Sequence, residues 1–266
     1  MKKAGRAIYL ALCFIFLYAP IFVLIVFSFN ESKSRSVFTG FTLKWYQNLF
    51  QNELIMQSLV NTLVVAVLAS VIATFIGTVA SIGIFNMKGG MKTAVMNVTY
   101  LPIMNPEIIT GVSMMLMFVF LSSFLGWDLG LWSVLIAHIT FCLPYIILNV
   151  LPKLRQMDPH LPEAALDLGC NPFQAFMKVV LPEIAPGIFS GFLMSFTFSL
   201  DDFIITYFTS GSSFPTLPTT IYSMTRMKVN PQINALSALM FLVVLALLLL
   251  MNLKKTRRKK VKGANY

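Results

Sequence analysis

Glu107, Asp201 and Asp202 are carboxylates in stretches apolar enough to lie within a membrane, where each charge costs about 2.5–3.5 kcal/mol at a helix centre on insertion scales. A side chain kept there needs compensation. No Lys or Arg falls inside any apolar span of the chain, which leaves water, a proton, a metal, a partner chain or a cationic substrate to meet the charge. The three acids therefore predict a wet path through the membrane, with the Ser199 hydroxyl two residues before the pair. The ring faces of Trp45, Tyr207 and Tyr222 are candidates to receive an ammonium group. Each residue also has a structural alternative. The acid pair can sit at a frayed outer helix end, solvated or paired with Arg226 or Lys228. Glu107, directly after Pro106, can complement the free N–H groups of a kinked helix. Ser199 can bond its own helix, and the aromatics can be interfacial anchors.

The usual catalytic signatures are missing. The sequence has no G-x-x-x-x-G-K-[ST] phosphate loop, no H-E-x-x-H and no G-x-S-x-G elbow, so it predicts no catalytic residue and no nucleotide site of its own. His138 and His160 lie far apart and supply too few ligands for a metal. His138 reads as a helix-contact residue. Cys13, Cys142 and Cys170 suggest small apolar filler and no disulfide framework.

A second constellation is mechanical in character. The polar insert Glu163-Ala164-Ala165-Leu166-Asp167-Leu168-Gly169 runs on to Val179-Val180-Leu181-Pro182. Pro162 suits a first helical turn, Glu163 complements the positive end of the helix dipole, and Gly169 suits a left-handed stop. Asn171, Pro172 and Gln174 then spell a capping-box start to a second short helix ending near Pro182. The alternative is a pair of amphipathic helices lying on a membrane surface.

The elements that carry these residues are membrane spans. Hydrophobic residues make up 57% of the 266-residue chain and charged residues 11%, with a mean hydropathy of +0.79, which excludes a soluble domain and predicts an all-α polytopic membrane protein. Apolar runs of spanning length occur at 8–29, 61–85, 131–151, 187–208 and 233–253. The run 94–124 carries Pro102, Pro106 and Gly111 and is expected as one span with a kinked first half, for six transmembrane helices in all. On a regular helix ending at Phe208, the acid pair would lie roughly 10 Å inside the outer surface. Gly187 and Gly191, like Gly77 and Ser81, offer small faces for close helix packing.

Charge sets the expected orientation. With both termini cytoplasmic, Lys2, Lys3, Arg6, Lys88, Lys92, Lys153, Arg155, Lys178 and the run from Lys254 to Lys262 lie inside. Lys33, Arg35, Lys44, Arg226 and Lys228 lie outside, so the positive-inside rule decides. The insert around Glu163 is then cytoplasmic. The formal net charge of +10 belongs to span ends and anionic lipid, not to nucleic acid. The first span exceeds a signal-peptide core in length and lacks a small-x-small cleavage pattern, so it is expected to remain as an anchor. The segment after it, with Leu43-Lys44-Trp45-Tyr46 and Leu49-Phe50, predicts a short interfacial helix. Organisation is expected as a peripheral span and outer segment (1–60), a five-helix core (61–253) holding the loop 153–185, and a basic tail (254–266).

The insert resembles the signature loop of permease subunits in bacterial binding-protein-dependent ABC importers: Glu-Ala-Ala, a Gly six residues after the Glu, and an Ile-x-Leu-Pro ending in which Val179 here replaces Ile. The stretches Met194-Ser195-Phe196-Thr197-Phe198-Ser199-Leu200-Asp201-Asp202-Phe203, Gly40-Phe41-Thr42-Leu43-Lys44-Trp45-Tyr46, His138-Ile139-Thr140-Phe141-Cys142-Leu143-Pro144 and Leu217-Pro218-Thr219-Thr220-Ile221-Tyr222-Ser223-Met224 resemble the C-type permeases of spermidine/putrescine importers, with Glu107 where that subfamily often has Asp. The resemblance implies a type I ABC importer permease fold in a bacterial inner membrane. It implies a homologous permease, a dimer of ATP-binding subunits holding ATP and Mg, and an extracytoplasmic polyamine-binding protein as partners. It also implies that Glu163, Ala164, Ala165, Asp167, Gly169, Val179, Leu181 and Pro182 dock on the ATPase, and that the paired acids handle a polyammonium cargo. The rivals are an ABC permease for another small solute and a proton- or cation-coupled secondary carrier, in which the acids would bind the coupling ion.

Overall fold

The computed structural model describes residues 2–32, 37–227, 231–243 and 245. Its helices are α1 (Lys2–Ser28), α2 (Lys44–Gln51), α3 (Glu53–Asn86), α4 (Gly89–Met104), α5 (Glu107–Leu125), α6 (Leu131–Gln156), α7 (His160–Asp167), α8 (Pro172–Ala175), α9 (Leu181–Asp201), α10 (Ile204–Thr209) and α11 (Leu217–Met227), followed by α12 (Gln232–Val243). Among the described residues, five windows are long and apolar enough to cross a membrane: Ala7–Phe27, Glu53–Asn86, Glu107–Phe124, Leu131–Gln156 and Pro172–Asp201. The shorter α12 occupies the start of the expected sixth span. The rest of that span, apart from 245, and the basic tail lie outside the described residues, as do Lys33, Arg35 and Lys228.

The chain divides into two compact units, Met1–Met56 with Ile221–Tyr266, and Gln57–Thr220. The division differs from the expected one, because the segment from Ile221 groups with the N-terminal span. In the first unit, no residue in the window Ala7–Phe27 of α1 is buried among the described residues, as suits a helix whose solvent is lipid. Behind it, an isolated antiparallel bridge pairs Asn30 with Phe41. The expected short helix appears as α2, with Trp45 and Leu49 as its buried face.

The second unit is built on the α6–α9 contact. Small residues set its closeness: a Cβ on Gly187 would stand 2.7 Å from the Asn149 carbonyl oxygen, and one on Gly191 would stand 3.2 Å from Ile146 Cα. A Cβ on Gly77 of α3 would likewise meet Ile146 Cβ at 2.7 Å, so Ile146 is gripped from two sides and is fully buried. Its neighbours in the core include Cys142, Val150, Ile184 and Ile205.

Three expectations are corrected here. The run 94–124 is not one kinked span: extended residues Asn105 and Pro106 separate α4 from α5, because Pro106 has no N–H to give a continuing helix and biases the residue before it away from helical angles. The run 187–208 is likewise broken, with α9 ending at Asp201 and α10 starting at Ile204. The second short helix of the insert does not stop near Pro182. It passes through a π turn, Phe176–Val180, where Leu181 N–H reaches back to Phe176 O, and continues as α9. Pro182 brings no N–H, so the register change leaves no donor stranded there.

Candidate functional site

Within the unit 57–220, the three acids occupy three different electrical positions. Glu107 is exposed and opens α5, and Asp202 sits just ahead of α10. Both therefore lie at helix N-termini, where a carboxylate is favoured. Asp201 is exposed and closes α9, where the helix carbonyls already present negative charge. Its carboxylate accepts its own backbone N–H, and Asp202 and Glu107 face it with like charge.

Asp202 is the opposite case, with a side chain only 4% exposed. Its backbone leaves the helical region at φ −61°, ψ 125°, and its Oδ2 accepts the Thr206 N–H and O–H, each at 2.8 Å. His138 Nε2 of α6 lies 3.4 Å from the same oxygen and 2.9 Å from Thr206 Oγ1. Its Nδ1 is 2.7 Å from Ser199 Oγ. The groups expected to meet the acids did not include histidine, and this contact adds one: the His138 imidazole is a hydrogen-bonding neighbour of Asp202 from its own chain. His138, expected as a helix-contact residue, is one of unusual polarity: 2% exposed and bonded to both α9 and α10. Ser199 is accordingly tied to a neighbouring helix.

Close packing brings Glu107 toward the break. One turn after it, a Cβ on Gly111 would stand 3.0 Å from Phe208 Cδ2 and 3.4 Å from Ile204 O, so α5 and α10 nearly touch. Glu107 lies within electrostatic reach of both Asp201 and Tyr145. Tyr145 in turn packs edge-on against Phe198 of α9 at 4.6 Å. Asp201, Glu107 and a half-buried aromatic pair thus share one region. Sequence reading had not singled out Tyr145 or Thr206; neither carries a spacing signal.

Trp45 and Tyr222 belong to the first unit and do not offer free ring faces there. Trp45 is 6% exposed and donates its indole N–H to Asn30 O at 2.7 Å. The Tyr222 ring already carries the Arg226 guanidinium, 4.9 Å from its centroid. Tyr207 is exposed and packs against Phe203 and Phe208.

The insert between α6 and α9 folds as its residues dictate. Gly169 at φ +87° ends α7, with Gly169 N–H bonded to Leu166 O and Cys170 N–H to Ala165 O, the paired bonds of a Schellman stop. Asn171 and Gln174 exchange both capping-box bonds. Glu163, Ala164, Asp167 and Gly169 are exposed, Val179 and Leu181 half-buried, and Pro182 exposed. Ala165 is buried, so of the alanine pair only Ala164 is exposed. Leu168 is 87% exposed and Phe173 71%, an apolar pair left uncovered beside the acids.

Fold and site together define a class: an α-helical polytopic membrane protein with one buried and two exposed acids at the ends of its apolar helices and a compact two-helix insert between two of its spans. The chain belongs to the binding-protein-dependent transport system inner membrane component family, whose model matches residues 69–256. It is 37% identical over 243 residues to the putrescine transport system permease PotI of Escherichia coli K12, covering 90% of this chain and 86% of the relative. It is 36% identical over 258 residues to the spermidine/putrescine transport system permease PotC of the same organism, covering 97% and 96%. Among solved structures, a bacterial ABC transporter that imports the acidic polysaccharide alginate superposes with a TM-score of 0.72 at 18% identity, covering 96% of this chain and 95% of that one, which establishes the shared fold.

Proposed function

We propose that this chain is a permease subunit of an ATP-driven polyamine importer, forming the translocation path with a homologous permease. Spermidine or putrescine, delivered by an extracytoplasmic binding protein, would pass the region of Asp201 and Glu107. The observation that carries the reading is the position of Asp201: a carboxylate at a helix C-terminus, exposed and without a cationic partner in its own unit. An ammonium group meets that need, whereas an anionic cargo would add to the repulsion. Glu107 within electrostatic reach supplies a second negative group for a cargo with spaced charges. The Tyr145–Phe198 pair offers apolar surface for the methylenes between them. Support from kinship comes from relatives named for putrescine and spermidine transport.

The insert from Glu163 to Pro182, on the cytoplasmic side in this reading, docks on a dimer of ATP-binding subunits that hold ATP and Mg. Closure of that dimer shifts the insert, and through it α6 and α9, between inward- and outward-open states.

The test is uptake of labelled spermidine by vesicles containing this chain with its partner permease, ATP-binding subunits and binding protein. Uptake requiring internal ATP and competed by putrescine is the expected result. ATP-dependent transport of another solute with none of polyamines would remove the cargo. Uptake driven by an ion gradient without ATP would replace the class with a secondary carrier.

A further inference from the structure

We propose that Asp202 and Ser199 do not touch the cargo and are positioning residues: with His138 and Thr206 they clamp the α9–α10 break from inside, leaving Asp201 to meet the substrate. The proposal deepens the polyamine reading and rests on it for its transport predictions.

The hydrogens of the cluster fix its directions. Thr206 commits both its N–H and its O–H to Asp202 Oδ2. Its Oγ1 can then only accept, so His138 Nε2, 2.9 Å away, carries its proton and donates. The same Nε2–H faces Asp202 Oδ2 at 3.4 Å. Nδ1 is left to Ser199 Oγ at 2.7 Å. Residues of α6, α9, the break and α10 thus close one ring with every polar side chain in it bonded. A second tie, Ser133 Oγ donating to Thr209 O at 2.7 Å, fastens the far end of α10 to α6.

Burial separates the two neighbouring acids by function. At 4% exposure, Asp202 could meet an ammonium group only by surrendering the Thr206 and His138 bonds, and removing partners from a buried carboxylate is costly. Asp201, one residue earlier, is exposed and has no such bonds to lose. The clamp sets where α9 stops, and where α9 stops sets where Asp201 points.

Asparagine separates the roles, since it caps a helix about as well as aspartate but carries no charge. In vesicles holding the full complex, Asp202→Asn is expected to keep the spermidine KM within about twofold, while Asp201→Asn raises it about tenfold, the worth of a charge-assisted bond. Thr206→Val should raise KM and Thr206→Ser should restore it. A double-mutant cycle adds a readout that a purely structural role would not move: in the Asp202→Ala background, Asp201→Asn should cost less than about threefold, because the acid is already misplaced. An equal KM rise in Asp202→Asn and Asp201→Asn, or additive costs in the cycle, would overturn the clamp. Thermal unfolding of the assembled complex needs no cargo. Asp202→Ala and Thr206→Val should lower the midpoint and Asp201→Ala should not. If the native complex fails to carry spermidine the cargo reading falls, and this melting pattern alone decides the clamp: equal shifts, or none, refute it.

Discussion

A carboxylate's role in this protein follows from which end of a helix it occupies and what already surrounds it. Glu107 and Asp202 stand at N-termini, where the helix supplies favourable charge, and Asp202 adds a full set of donors. Asp201 stands at a C-terminus, where its carboxylate is met by its own backbone N–H. The same logic reassigns Trp45. Its indole N–H holds Asn30 O, while the Asn30 side chain donates to Val37 O and accepts from Thr39 N–H, so the tryptophan is a strut for the segment between α1 and α2. Trp45→Phe keeps an aromatic ring and deletes the donor. It should cost about 1–2 kcal/mol in unfolding free energy, through a buried carbonyl left short of its partner, with the spermidine KM unchanged. A raised KM at undiminished stability would return Trp45 to the cargo path.

At the scale of elements, the packing of α6 on α9 turns on glycine, and the glycines are not equivalent. Gly187→Ala would press a Cβ to 2.7 Å from the Asn149 carbonyl oxygen, a backbone atom that cannot rotate away, and should destabilise by about 1–3 kcal/mol as overpacking does. Gly83→Ala, on α3, meets nothing within 4 Å and should be neutral or stabilising by up to about 1 kcal/mol from helix propensity. Melting midpoints of the two variants check the contrast; equal shifts would show that contact at Gly187 does not limit the packing. The role of Gly187 and Gly191 was legible because small residues four apart are a local pattern. The Gly169 stop and the Asn171–Gln174 box were legible for the same reason, since each needs only residues within a turn or two. The α9–α10 break was not. No Pro or Gly marks it, and it is held by His138, which stands 61 positions from Ser199 and 68 from Thr206. The π turn was hidden too, because Pro182 reads in isolation as a stop, whereas the ladder accommodates it by shifting one residue. Three-dimensional satisfaction of donors decided both places, and no window of sequence contains it.

For the whole molecule, the question is how the chain would be driven, and under the proposed function the insert is where that force enters. Leu168 and Phe173 lie uncovered at 87% and 71% exposure on a segment that also presents Glu163, whose carboxylate stands 3.3 Å from the exposed His160 ring. An apolar pair with a charged rim is the composition of a docking surface. Because Phe173 is so exposed, Phe173→Ala should leave folding unaffected while removing a central aromatic contact, weakening retention of the ATP-binding subunits by about 2–4 kcal/mol if it is an anchor of that interface. Gly169→Pro acts differently. Proline cannot adopt φ +87°, so the turn between α7 and α8 must rebuild and both exposed side chains move with it. Co-purification of the ATP-binding subunits through a tag on this chain should fall in both variants, with the amount of permease in the membrane unchanged and ATP-dependent uptake lost in proportion. Full retention and full coupling in both would mean that force enters the permease elsewhere than through this insert.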